Sequence, residues 1–156
     1  MVALVLGFVL VKRFIFSSHD ARRAETRNDI KVGTKISLPN FDWSGSNKHL
    51  VLVVQKGCHF CSESAPFYQR LVQETVGRND VQLIAALPQD VNEGRQYLND
   101  LGVHINDVKQ VSPSSLGVRG TPTLFLVDKT GLVTDVWLGK LQADQEAAVI
   151  SRLKTN

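Results

Sequence analysis

The run Leu50-Val51-Leu52-Val53-Val54 is apolar at every position, and it leads within a few residues to Cys58-His59-Phe60-Cys61. An unbroken β-branched and leucyl run has no polar face to turn to water. It therefore predicts a central strand buried on both sides, and with it a sheet that other elements cover. Phe67, Leu71 and Val72 then recur at helical spacing, so the cysteine pair stands where a strand gives way to a helix. Two thiols separated by two residues at a helix N-terminus can close a small disulfide. The first can be held as a thiolate by backbone N–H groups and the positive end of the helix dipole.

Cys58 and Cys61 are the only cysteines among 156 residues. A chain of this length can bury a real core without a covalent staple, and secreted disulfide scaffolds are shorter and richer in cysteine. The pair therefore points to redox chemistry rather than scaffolding. Lys and Arg outnumber Asp and Glu by 18 to 15, and the bases are scattered apart from Lys12, Arg13, Arg22 and Arg23. Such a balance carries no nucleic-acid footprint.

The N-terminus departs from this soluble composition. Val2 to Val11 is apolar apart from Gly7, and Phe14-Ile15-Phe16 extends the run past Lys12 and Arg13. About 16 residues of helix cover roughly 24 Å of a ~30 Å hydrocarbon core, so a span would need snorkelling bases, a thinned bilayer or a start further upstream. A signal-peptide apolar region fits the length better, yet no basic segment precedes the run and no small-residue cleavage site follows it. The expectation is an apolar N-terminal helix over residues 1–16 that anchors the chain in a membrane. A charged tether follows over 17–29, and a folded domain over 30–156. Lys12 and Arg13, on the C-terminal side of the run, would by themselves place that domain in the cytoplasm.

Within the domain, Lys35-Ile36-Ser37-Leu38 alternates like a half-exposed strand that Pro39-Asn40 breaks, and Trp43 to Asn47 has turn chemistry. Pro66 should kink the helix after Cys61, because it lacks an N–H. Val81 to Leu87 reads as a second buried strand. Val91, Tyr97, Leu98 and Leu101 suggest a helix ended by Gly102. Thr123 to Val127 is a strand, Asp128 to Gly131 a turn, and Leu132 to Leu138 the hairpin partner. Ala147, Ile150 and Leu153 mark one face of a terminal helix. Strands alternating with helices imply an α/β architecture with a mixed sheet covered on both faces.

A strand, then Cys-x-x-Cys opening a helix, then Arg119-Gly120-Thr121-Pro122-Thr123 before a later strand, resembles the thioredoxin fold from Val32 to the C-terminus. More narrowly, the chain is similar to the TlpA-like membrane-anchored thiol-disulfide oxidoreductases. The likeness rests on Val32 to Pro39, on Gly57 to Cys61 followed by Pro66, and on Gly120 to Asp128 with Gly131. It implies a three-layer fold with a central mixed sheet flanked by helices, and thiol-disulfide exchange outside the cytoplasm. The substrates would be protein thiols or disulfides, with a membrane or soluble electron donor and no cofactor. By position, Cys58 matches the attacking cysteine, Cys61 the resolving one, and Pro122 the family's cis-proline. The backbone of Thr121 would pair with an extended substrate segment. His59 and Phe60 fill the dipeptide that tunes the couple. A protonated His59 would favour the Cys58 thiolate and make the protein more oxidising, whereas a solvated imidazole would do little. Lys56 is a further cation near Cys58, and Phe60 reads as a hydrophobic lip for docking.

One position departs from the pattern. Many thioredoxins carry a buried acid six residues before the first cysteine; here that residue is Leu52, which leaves the proton acceptor of Cys61 unassigned, and Glu63 on the helix need not face the sulfurs. Two rival functions follow from the same cysteines. A peroxide-reducing redoxin would place a Thr one turn before its cysteine, where this chain has Gln55. A metallochaperone would bind Cu(I) or Zn(II) through Cys58 and Cys61 with His59 or a distant His such as His104, but Thr121 before a packed proline leaves little room for a metal.

Overall fold

The computed structural model describes residues 29–155, so the expected anchor over 1–16 and all but the last residue of the tether lie outside the described residues. Five strands form one mixed sheet in the order β3-β2-β1-β4-β5. They are β1 (Lys48–Val53), β2 (Val81–Leu87), β3 (Asp107–Gln110), β4 (Thr123–Asp128) and β5 (Val133–Leu138). The apolar run sits at the centre, with β1 parallel to β2 and antiparallel to β4. Leu50 through Val53 are wholly buried, as a strand covered on both faces must be.

Alternation along the strands sorts the core into two clusters. Leu50, Leu52, Leu124 and Leu126 face Phe67, Tyr68, Leu71, Leu98, Val149 and Leu153. Those partners come from α2 (Ala65–Thr75), α3 (Val91–Asp100) and α4 (Ala143–Lys154), while α1 (His59–Glu63) adds Cys61. On the other face Val51, Val53, Ile84, Phe125 and Val127 lie under Ile30, Ile36, Leu38, Leu116 and Val118. The expected flanking by helices therefore holds as α-helix on one face only. The second face is covered by extended chain and by 3-10 turns at Trp43–Gly45 and Pro113–Leu116. Pro113, two serines and Gly117 at φ +71° allow that segment one turn and no more.

Several local expectations need correction. Lys35 to Leu38 alternates in burial as predicted, with Ile36 and Leu38 inside, yet it forms a single bridge from Lys35 to Leu132 rather than a strand. Edge strand β3 carries one apolar residue among Asp, Lys and Gln, so it has no pattern to read; it pairs with β2 through its backbone. Pro66 does not kink one helix but separates two. The ladder breaks at Ser64, whose carbonyl accepts from both Phe67 and Tyr68. On α4 the buried residues are Val149 and Leu153, with Ile150 half-buried, and Ala147 is exposed. Two residues before Val149, it points roughly 200° away around the helix.

His49 sits on β1 facing the second cluster. It is wholly buried edge-on to Phe41 (5.4 Å) and Trp43 (5.1 Å), with no hydrogen bond at either ring nitrogen among the described residues. Burial pushes its pKa below the ordinary histidine value; the Val127 backbone and the carboxylates of Asp107, Asp128 and Asp42 oppose this only in part. The unfolded chain therefore takes up a proton at His49 that the folded chain refuses. Stability is complete above about pH 6.5 and falls as the pH drops below that value toward the folded-state pKa. Urea midpoints should decline between pH 7.5 and 5, with a shallower decline in His49→Leu. Equal slopes in the two proteins would show that His49 is not the group responsible.

Candidate active site

The central strand delivers the chain to Gln55-Lys56-Gly57, where Gly57 at φ +82° turns it sharply and the Cys58 N–H donates to the Gln55 carbonyl at 3.2 Å. Cys58 is the N-cap of α1. Its sulfur accepts from the Cys61 N–H at 3.2 Å, and the two cysteines form a disulfide with their Cα atoms 5.2 Å apart. Cys58 is half-buried at the rim, and Cys61 is wholly buried in the helix-side cluster. One sulfur faces the surface and the other the core.

The loop before β4, distant in sequence, closes over this pair. The Thr121 carbonyl oxygen lies 3.3 Å from the Cys58 sulfur, and Thr121-Pro122 is a cis peptide. In the disulfide that is a contact only; a Cys58 thiol could donate to it. The loop is held in place on both sides. The Gly139 N–H donates to the Pro122 carbonyl at 2.8 Å, and the Thr123 hydroxyl to the Gly120 carbonyl at 2.8 Å. Phe60, next to Cys61 in α1, and Leu138, paired with Thr123, are exposed, 55% and 69% accessible, which gives the site two apolar flanks where water could be displaced. Phe60 is legible in the sequence from its place between the cysteines; Leu138 is not, because the last residue of a hairpin strand carries no signal of its own.

The charged neighbours are engaged elsewhere. His59 pairs with Glu63 at 3.2 Å, and Glu63 also accepts from Lys140 at 2.9 Å. That Lys140 bond is the main reason the Glu63 carboxyl is held below its usual range. Lys56 donates to Glu93 at 2.8 Å, which raises its pKa. Glu63 thus faces His59 and Lys140 and not the sulfurs, and Lys56 and His59 each sit against a carboxylate. Leu52 is buried in the cluster that holds Cys61, so the thioredoxin acid position is apolar. Among the described residues no group of three or more His, Cys, Asp or Glu is placed to hold a metal ion, and no helix is long and apolar enough to cross a membrane.

No protein-family model and no curated protein matches the sequence. Solved structures do match the fold. A Chlorobium tepidum protein assigned as the thiol:disulfide interchange protein DsbE superposes with a TM-score of 0.60 at 23% identity, over 80% of this chain and 97% of that one. StoA of Bacillus subtilis gives 0.57 at 16% identity, over 80% and 96%. The bacterioferritin comigratory protein of Xanthomonas campestris, described for alkyl peroxide reduction, gives 0.52 at 14% identity, over 72% and 80%. These likenesses, with the sheet order and the disulfide at the head of α1, establish that the chain has a thioredoxin-like α/β fold.

Proposed function

We propose that the protein is a thiol-disulfide oxidoreductase working through Cys58 and Cys61, and that it acts as a reductase of protein disulfides outside the cytoplasm. The observation that carries this reading is the unequal placement of the two sulfurs, one at a rim beside the Thr121 carbonyl and one sealed in the core. In the dithiol form the Cys58 thiolate attacks a substrate disulfide. A mixed disulfide forms, and Cys61 then displaces the reduced substrate. An extended substrate segment pairs with the Thr121 backbone, and Phe60 and Leu138 take its apolar side chains.

The Cys58 thiolate draws little from a long helix dipole, because α1 is five residues and the ladder breaks at Ser64. Its support is local: the Cys61 N–H already points at the sulfur. With His59 and Lys56 tied to Glu63 and Glu93, neither side chain is directed at the sulfur, and a modestly stabilised thiolate favours the reducing direction. The apolar residues 1–16 would anchor the domain, residues 17–29 would tether it, and an electron donor in or at the membrane would restore the dithiol. The peroxide reading shares the fold, but Gln55 stands where its Thr would be. The metallochaperone reading lacks a third ligand beside the two cysteines among the described residues.

One experiment tests both the chemistry and the anchor. The full chain should be recovered from the membrane fraction and, equilibrated against glutathione buffers, should show a potential near or below about −270 mV. Recovery in the soluble fraction would remove the anchor. A value near about −120 mV would make the protein an oxidant.

A further inference from the structure

A cysteine that must ionise inside an apolar core needs a polar neighbour, and Leu52 offers none. Three hydroxyls lie on the Cys61 side of the sheet. Ser64 is buried one turn beyond Cys61, Tyr68 lies a further turn on at 1% exposure, and Tyr97 packs on the same cluster from α3. The other buried polar residues, His49 and Thr123, stand two residues from Val51 and Phe125 on their strands and so share the opposite face with them. Cys61, Ser64 and Tyr68 follow one another at spacings of three and four, and Ser64 keeps an α-type backbone across the break, so they share a stripe. Helical side chains lean toward the N-terminus, which carries the long Tyr68 ring back over the turn before it. Its hydroxyl accordingly lies beside Ser64. With Cys61 locked in the disulfide, neither the Tyr68 nor the Tyr97 hydroxyl has a hydrogen-bond partner among the described residues. The Ser64 hydroxyl is already committed, donating to the Phe60 carbonyl at 2.8 Å. Burial keeps Tyr68 protonated, so it can serve only as a donor when a charge appears nearby.

A buried donor with nothing to bond is costly in the disulfide form, and it becomes useful where a charge exists only in the dithiol form. We propose that the Tyr68 hydroxyl, flanked by Tyr97 and Ser64, is the polar neighbour that Leu52 does not supply, donating a hydrogen bond to the Cys61 sulfur once that sulfur is a thiolate. This assignment rests on the exchange reading. In the resolving step the Cys61 thiol gives up its proton, which the departing substrate sulfur takes up, and the Cys61 sulfur attacks Cys58. The bond from Cys58 to the substrate sulfur breaks, and that sulfur leaves with the electron pair. The protein dithiol is oxidised, the substrate disulfide is reduced, and Tyr68 keeps its proton throughout.

The test uses the full reduced chain and an aromatic disulfide whose released thiolate absorbs visible light. Attack by Cys58 liberates the first equivalent, and closure by Cys61 the second. In Tyr68→Phe the second release should slow about tenfold or more at pH 7, with its pH midpoint moved up by about one unit, as loss of one hydrogen bond to a charge implies. The first release should stay within about twofold, and the melting temperature should hold or rise, because the variant removes an unpaired buried hydroxyl and keeps the ring. Tyr97→Phe should shift the second release the same way by less. An unchanged second release would overturn the assignment, as would a parallel loss in both phases with a lowered melting temperature. A wild-type chain that releases only one equivalent would remove the exchange reading itself, and this assignment with it.

Discussion

Cys61→Ser should accumulate mixed disulfides with its substrates, and Cys58→Ser should accumulate none. Cys58 is reachable at the rim, while Cys61 has no accessible surface through which a substrate disulfide could meet it. With Cys61 present, the mixed disulfide is attacked by a thiol held within the same turn, at an effective concentration far above that of any free thiol in solution. Without it the complex waits for an external thiol, and its lifetime should lengthen by at least about a hundredfold. Tagged variants on non-reducing gels display the difference directly. Trapping of equal amounts by both variants would sink the division of roles between the two sulfurs.

Phe125→Ala should cost about 3–5 kcal/mol, the usual penalty for emptying a buried aromatic position. The ring is wholly buried on β4, between Val51 of β1 and Val136 of β5, beneath the layer of extended chain and 3-10 turns. That layer has no α-helix to settle into the gap, so a cavity should persist. Against a typical total of about 5–15 kcal/mol, the loss takes much of the margin. Leu138→Ala, at an exposed site on the same hairpin, should stay within about 0.5 kcal/mol. Urea unfolding of the pair decides it. A cost below about 1 kcal/mol for Phe125→Ala would show that the second cluster is a covering and not a core.

The thioredoxin-like architecture was legible because its signals are local. An unbroken apolar run marks the middle strand, Gly102 and the Asp128 to Gly131 turn mark ends, and two short motifs about sixty residues apart carry the cysteines and the proline. Elements without a pattern of their own escaped. β3 is polar but for Val108, and it exists through backbone pairing to β2. Lys35 to Leu38 shows the converse, since alternation sorted its side chains correctly while its backbone meets its neighbour only at the bridge from Lys35 to Leu132. Ala147 was placed on the inner face of α4 because periodicity gives a stripe's spacing, and only packing selects which stripe turns inward.

The sequence by itself determined the chemistry available to this protein: two thiols at the start of a helix and no acid at position 52, since residue identity and short spacing need no tertiary information. Only the tertiary structure decided how that chemistry is surrounded. It set the Thr121 carbonyl 3.3 Å from the Cys58 sulfur, drew His59 and Lys140 to Glu63 and Lys56 to Glu93, and left the hydroxyls of Tyr68 and Tyr97 on the Cys61 side of the core without a partner among the described residues. Each of these relations depends on where folded elements pack or which way a side chain turns. A charge or a hydroxyl read from sequence carries its strength but not its direction, and direction determines whether it reaches a sulfur or a carboxylate.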